Sequence, residues 1–540
     1  MGPAYSYPLL IGQLLRSTLQ TAAHQRITYA DLAEFSYAEF AERVARLGAV
    51  LTRLGLGQGA VVAMMDFDSN RYLESFFAVP MVGATLHTVN VRLSPEQILY
   101  TINHAEDDAI LVNAEFLALL TPLLPRITRK VQLILLSDTK GAVVPAGFVG
   151  EYEALLAGAD PGFVFAEFDE NTRATLFYTT GTTGDPKGVS YSHRQLVLHT
   201  LGALIGNGSV PGQAGLLRGD VYMPLTPLFH VHGWGIPYAA TLLGLHQVYP
   251  GRYEPAKLLG LIANHGVTFS HCVPTILSML LNAPESASVD LSRWKVIIGG
   301  AALSEGLARA ATARGIDVYA GYGMSETCPL LTLADMHAAQ GPGDTTAIRT
   351  ATGKPVPLVQ LRIVDPQMRD VARDGVSTGE IVARAPWLTQ EYLKNAAGTA
   401  ALWEGGWLHT GDVGTMASDG TVRITDRLKD VIKSGGEWIS SLALESIVST
   451  VPGVLEVAAV AVPDARWGER PVLVLATGSG DPSSVGLAAQ SAVDVAIAKG
   501  ELSKWAAPER VVFVGSLPKT SVGKIDKKVI RAGLASGELR

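Results

Sequence analysis

The densest chemical signal in the sequence is the run Tyr178-Thr179-Thr180-Gly181-Thr182-Thr183-Gly184-Asp185-Pro186-Lys187-Gly188, which follows the apolar segment Ala174–Phe177. Threonine hydroxyls, glycine N–H groups and one lysine on the exit of a strand can wrap a polyphosphate from several sides. A plain surface turn has no need of so many threonines. The run is not a Walker A loop, because Pro186 stands where that pattern requires its second glycine. Gly206–Pro211 fails as a dinucleotide fingerprint for a similar reason, with Pro211 in place of the third glycine. A second notable segment is Pro227-Leu228-Phe229-His230-Val231-His232-Gly233-Trp234-Gly235. It lies inside a stretch from Val221 to Gly251 that holds no Asp, Glu, Lys or Arg. That stretch is long enough to cross a bilayer. Its four prolines and three histidines would nevertheless leave lipid-exposed backbone unsatisfied, so it reads as the wall of an internal pocket. Cys272 and Cys328 have neither metal-ligand nor disulfide-framework spacing and read as packed, reduced thiols.

Further motifs follow in order: Gly299-Gly300-Ala301-Ala302, Tyr322-Gly323-Met324-Ser325-Glu326-Thr327, Thr410-Gly411-Asp412, Asp426-Arg427-Leu428-Lys429-Asp430 and Gly523-Lys524. With the threonine loop, this ordered set resembles the adenylate-forming superfamily, which includes acyl-CoA synthetases, luciferases and peptide-synthetase adenylation domains. Thr180 stands where that family often has serine, and Ser325 where it often has threonine; both keep a hydroxyl. The segment Lys429–Ser441 looks most like bacterial medium- and long-chain fatty acyl-CoA synthetases and their methylmercaptopropionate-CoA ligase relatives.

The resemblance implies a role for each matching residue. Thr179, Thr180, Gly181, Thr182, Thr183 and Lys187 would hold the phosphates of ATP. Gly299, Gly300, Ala301 and Ala302 would line the base, Tyr322 would stack on it, and Gly323 would lie beside it. Ser325 and Thr327 would donate to the α-phosphate or the acyl carboxylate, and Glu326 would bind Mg²⁺. Asp412 would accept from the ribose hydroxyls, and Arg427 would contact the ribose and phosphate region. Lys524 would place a cation between the attacking carboxylate and the α-phosphate, where negative charge crowds in the transition state. The catalytic set is then Lys524, Glu326 and His230, with His230 gating the acid or the thiol. The acyl pocket would be built from His230, Trp234, Gly235, Val273 and Gly299. Peptide-synthetase domains place an aspartate in this region for an amino group, whereas this wall has no acid. An unpaired buried ammonium would cost several kcal/mol, so an uncharged acyl tail fits better. Lys429 matches a hinge, and Lys433, Ser434, Gly435, Gly436, Glu437 and Trp438 would face CoA after rotation of a C-terminal domain.

The elements that must position these groups are legible from periodicity. Phe40, Val44, Leu47 and Leu51 recur at helical spacing after Ser36, a natural N-cap. Strands are expected at Gly59–Met65, Ala109–Val112, Val131–Leu136, Thr175–Thr179, Thr268–Val273, Val296–Gly299 and Asp317–Ala320, alternating with helices as parallel βαβ units do. Closely spaced short strands from about Thr345 to Thr425 indicate a β-rich lobe. The expected fold class is α/β: a large N-terminal domain, residues 1–428, of two α/β subdomains and a small β-barrel-like lobe at 345–425. A hinge at 426–430 and a mobile α+β domain, residues 429–540, complete it, with a helix at Val485–Lys504 and a strand at Arg510–Val514.

With 540 residues, 48% of them apolar, the chain is ample for several cores. Its net charge of -7 lacks the basic excess of a dedicated nucleic-acid binder. The first residues lack the basic flank of a secretory signal. These readings converge on a cytoplasmic acid:CoA ligase that uses ATP, Mg²⁺ and CoA, with no nucleic-acid partner and no transmembrane segment, and with a homodimer as a possible assembly. The alternatives are an acyl-AMP ligase that loads a carrier protein and a CoA ligase for a short specialised acid such as methylmercaptopropionate.

Overall fold

A computed structural model describes residues 4–179, 185–209, 215–338, 343–435, 437–478 and 481–539. Among the described residues the strands form four sheets. The first runs Phe148–Glu151, Gln132–Leu136, Ala109–Asn113, Val61–Met65, Thr85–Thr88, Arg173–Thr179 and Lys187–Ser192, parallel except for the final antiparallel pair. The second has a parallel centre, Asp317–Gly323, Lys295–Ile298, Phe269–Cys272, Val221–Tyr222, His246–Tyr249 and Arg26–Tyr29, with antiparallel strands added at both edges. The helix Tyr37–Arg53 packs with the helix Asn70–Met81, and their apolar faces belong to the largest core cluster. Ser36 caps the first of these helices through a reciprocal bond with Glu39, as its sequence announces.

The β-rich lobe is an antiparallel sheet of Gln360–Val364, Gly379–Arg384, Leu408–Met416 and Val422–Arg427. Beyond it lies a smaller C-terminal domain. Its sheet joins Glu437–Ile439, Ile432–Ser434, Gly468–Thr477 and Val454–Asp464, and Arg510–Val514 pairs in parallel with Gly468–Thr477. Separate apolar clusters cover this sheet, one around Leu444, Leu473 and Val493, the other around Val460, Val474 and Ile530.

Two expectations need correction. The helix expected over Val485–Lys504 runs Pro482–Ala498, begun by Asp481 as N-cap and followed by a separate turn, Lys504–Ala506, capped by Ser503. The uncharged stretch Val221–Gly251 is mostly molecular core, because His246–Tyr249 lies inside the second sheet and the helix Ile236–Leu243 packs against the helix Gly12–Ala22. Only its middle part borders a site. No described helix is long and apolar enough to cross a membrane. The short strands Thr85–Thr88 and His246–Tyr249 escape a periodicity reading because buried polar residues interrupt them. His87 is fully buried and bonded at 3.0 Å to the Asp107 carboxylate.

Candidate active site

The motifs converge where strands end. Open α/β sheets hold ligands beyond the carboxyl ends of their strands, and Lys295–Ile298 and Asp317–Gly323 deliver Gly299–Ala302 and Tyr322–Thr327 there. Thr179 ends the strand Arg173–Thr179 and pairs with Lys187 across a hairpin. Thr180, Gly181, Thr182 and Thr183 lie outside the described residues.

Asp412 and Arg427 face each other in register on neighbouring strands of the lobe. The Arg427 Nε lies 3.1 Å from Asp412 Oδ1, while the Tyr322 hydroxyl donates to Asp412 Oδ2 at 2.9 Å. Three residues from two sheets thus meet at one nearly buried carboxylate. Ala301 and Ala302 are exposed. Gly323 lies against the Pro329 carbonyl.

Glu326 is buried in the middle of a short turn, Ser325–Thr327. Its Oε1 accepts from the Tyr392 hydroxyl at 2.7 Å, and the Lys187 Nζ sits 4.6 Å from the centre of the Tyr392 ring. Burial raises the Glu326 carboxyl above its ordinary range, and the Tyr392 bond, Lys187 and Lys524 oppose that shift. The Ser325 carbonyl accepts from Tyr191 at 2.5 Å. The Thr327 hydroxyl accepts from the Met324 N–H at 3.0 Å and bonds the Pro329 carbonyl, closing the turn.

The segment that carries His230 and Trp234 adopts a rare backbone. Val231, His232, Gly233, Trp234 and Gly235 all have positive φ, from 47° to 70°, forming one left-handed turn. Left-handed backbone costs an L-residue roughly 1–2 kcal/mol, so the surroundings must enforce it. The Leu228 N–H donates to buried Asp68 at 2.9 Å, and Tyr253 donates to the same carboxylate at 2.6 Å. The His232 ring lies among Phe76, Phe177, Tyr191 and Tyr238. Trp234 packs over Gly299 and 5.1 Å from the His271 ring. Burial, then Lys524 and His232, push His230 down to about 3, so its imidazole is neutral. Val273 lies against both Gly300 and Gly523.

Lys524 reaches this place from the C-terminal domain. A Cβ on Gly300, whose φ is +76°, would lie 3.0 Å from the Lys524 Cε, so the bare glycine backbone makes room for the lysine stem. Burial and the Arg427 charge push the Lys524 ammonium down to about 8, against the pull of Asp412 and Glu326.

The sequence model of the AMP-binding enzyme family matches residues 16–393, and that of the AMP-binding enzyme C-terminal domain matches residues 443–524. The chain belongs to the AMP-binding enzyme family. The long-chain-fatty-acid–CoA ligase of Thermus thermophilus is 39% identical to this AMP-binding enzyme over 512 residues, covering 94% of this chain and 91% of its own. The 3-methylmercaptopropionyl-CoA ligase of Ruegeria pomeroyi is 36% identical over 543 residues, 98% of each chain. The crystal structure of the anthranilate CoA ligase AuaEII with anthranoyl-AMP shares the fold, with a TM-score of 0.86 over 98% of this chain and 99% of that one at 23% identity.

Other motif residues of this AMP-binding enzyme lie apart from that cluster of contacts. The Lys433 N–H donates to Glu469, the Gly435 N–H to the Trp467 carbonyl, and Ser503 to Glu437, all inside the C-terminal domain. Ser434 is buried, and Gly436 and the side chain of Trp438 lie outside the described residues. Lys429 sits in an exposed turn in which the N–H groups of Asp430 and Val431 both donate to the Arg427 carbonyl. Sequence reasoning missed Tyr392 and Asp68. Each acts across a long separation, Tyr392 on Glu326 and Asp68 on Leu228, and no local pattern marks either one.

Proposed function

We propose that this AMP-binding enzyme is an ATP-dependent carboxylic acid:CoA ligase working in two half-reactions. The observation that carries the reading is Lys524, brought from the C-terminal domain to the bare backbone of Gly300 and into the field of Asp412, Arg427 and Glu326. In the first half-reaction a carboxylate oxygen bonds to the α-phosphorus of ATP, the bond to the leaving pyrophosphate breaks, and acyl-AMP forms. The Lys524 ammonium offsets the charge that crowds at this centre. Asp412 and Arg427 orient the ribose, Tyr322 covers the adenine, and the threonine loop with Lys187 holds the leaving phosphates. In the second, the CoA sulfur attacks the acyl carbonyl, AMP departs with the bonding electrons, and the thiol proton passes to solvent.

Glu326 suits Mg²⁺ held by a single carboxylate together with the phosphate oxygens of ATP. That ion, when bound, offsets phosphate charge. Lys429 serves as the hinge, and the face from Lys433 to Trp438 forms the CoA channel after rotation. The unit boundary lies at 426–430. The acid carries an uncharged tail, in keeping with the acid-free wall from Pro224 to Gly235. We assign the enzyme to the cytoplasm, where ATP and CoA are at hand, as a homodimer by its resemblance to the fatty acyl branch; sedimentation tests the assembly.

Two relatives carry names with very different acids, a long-chain fatty acid and 3-methylmercaptopropionate. A panel of straight-chain acids from short to long, with methylmercaptopropionate and an amino acid added, therefore tests the reading. Acyl-CoA and AMP should form from uncharged-tail acids and not from the amino acid. Acyl-AMP accumulating unchanged in the presence of CoA would favour transfer to a carrier protein instead.

A further inference from the structure

Among the described residues, besides the junction bonds of Ser440 and Ser441 to Thr425 and Asp426, the domains also touch at two places away from the nucleotide site. The first is at Gly306, in the first turn of the helix Glu305–Ala313 that Ser304 caps. A Cβ there would lie 2.2 Å from the carbonyl oxygen of Ser449, at the end of the C-terminal domain's helix Ser441–Ser449. Terminal helix carbonyls lack intrahelical partners and project from the helix end, so one projects onto the bare Gly306 backbone.

The second contact holds the lysine loop. Thr520 and Lys524 close it on themselves through a 2.7 Å bond from the Thr520 N–H to the Lys524 carbonyl. Three N-terminal side chains grip the turn: Asn90 donates to Ser521 Oγ at 2.9 Å, Arg92 to the Ser521 carbonyl at 3.3 Å and Thr275 to the Gly523 carbonyl at 2.7 Å. Val522, buried between them, belongs to the main apolar cluster of the N-terminal domain.

We infer that these contacts form a two-point seat that fixes the pose delivering Lys524, and that Gly306 is a positioning residue for adenylation alone. The inference rests on the ligase reading above. Gly306 touches no substrate; it acts by letting the domain come close enough for the lysine loop to reach Asn90 and Thr275. Any side chain at position 306 pushes the Ser449 helix end outward and lifts the lysine from its place. The thioester half-reaction, in which the domain leaves this seat, has no such requirement.

The test is Gly306→Gln in the full-length chain, with Gly306→Ala as the smaller step. Glutamine and alanine are better helix formers than glycine, so a purely structural role for the position predicts equal or higher stability and unchanged chemistry. The seat predicts an unchanged or raised melting temperature, with acid-dependent pyrophosphate release lowered by roughly 10–100-fold, as displacement of a positioned group by about 1 Å does. Thioester formation from supplied acyl-AMP and CoA should hold at the wild-type rate, and alanine should fall between. A common loss of both half-reactions, or an unchanged rate of pyrophosphate release, overturns the inference. Hydrogen exchange in the ligand-free protein separates its failure from that of the ligase reading. Amides of residues 519–525 should exchange faster in Gly306→Gln; unchanged exchange there overturns the seat whatever reaction the enzyme performs.

Discussion

On the proposed reading, Lys524 is the side chain whose loss should cost the first half-reaction most. Replacing it with alanine should lower acid-dependent pyrophosphate release by about 10²–10³, while thioester formation from supplied acyl-AMP stays near the wild-type rate; quenched-flow assay of each half-reaction checks this. Its ammonium is pushed down to about 8, so the active, protonated form is present below that value and is lost as pH rises through it. The kcat/KM for adenylation, which reports the free enzyme, should show an alkaline limb near pH 8 that Lys524→Arg removes. Asp412→Asn should weaken ATP far more than the acid. The amide keeps one acceptor, but its NH₂ turns a donor toward Tyr322 or Arg427, both of which donate to the carboxylate. Isothermal titration with ATP checks it, and an unchanged affinity would separate Asp412 from the nucleotide.

At the scale of elements, the left-handed turn Val231–Gly235 places Trp234 over Gly299, where the proposed acyl pocket would lie. Gly235→Ala should lower the thermal midpoint and impair acid activation. The position has φ +70°, and a Cβ would lie 2.8 Å from the His199 ring; the backbone alone costs about 1–2 kcal/mol. An unchanged midpoint would mean that the turn relaxes freely. The sequence made some of this region legible. A charge-free run with prolines and histidines announced burial and irregular backbone, and the strand exits at Thr179, Gly299 and Tyr322 were readable because strand period and glycine punctuation are local signals. The turn's handedness was not, because the groups packed around it, Asp68 on Leu228 and His271 and Gly299 on Trp234, lie far away in sequence. Tyr392 was hidden for the same reason, and so was the use of Thr327 to close its own turn, which depends on where the Pro329 carbonyl lies. The helix Pro482–Ala498 ended earlier than its composition suggested because Gly500 and the Ser503 cap start a separate turn.

The whole molecule is a large domain and a small one, each with apolar clusters of its own and Val522 of the small one seated in the main cluster of the large one; the proposed two half-reactions call for the small one to move. With Lys429 as the proposed pivot, Lys429→Pro fixes φ there near roughly -65° and should leave adenylation intact while abolishing transfer to CoA, at an unchanged melting temperature. Proportional loss of both would move the axis elsewhere. The two-domain outline was legible in the sequence from the restart of mixed elements after Asp430. The pose of the small domain was not, since it depends on contacts such as Asn90 with Ser521. The most direct test of the account is exchange of labelled pyrophosphate into ATP by the purified enzyme, without CoA, in the presence and absence of a straight-chain fatty acid. The account predicts exchange that requires the acid, proceeds without CoA and disappears in Lys524→Ala. Exchange that is independent of the acid, or none at all with an acid that the enzyme converts to its CoA thioester, would contradict an acyl-adenylate intermediate.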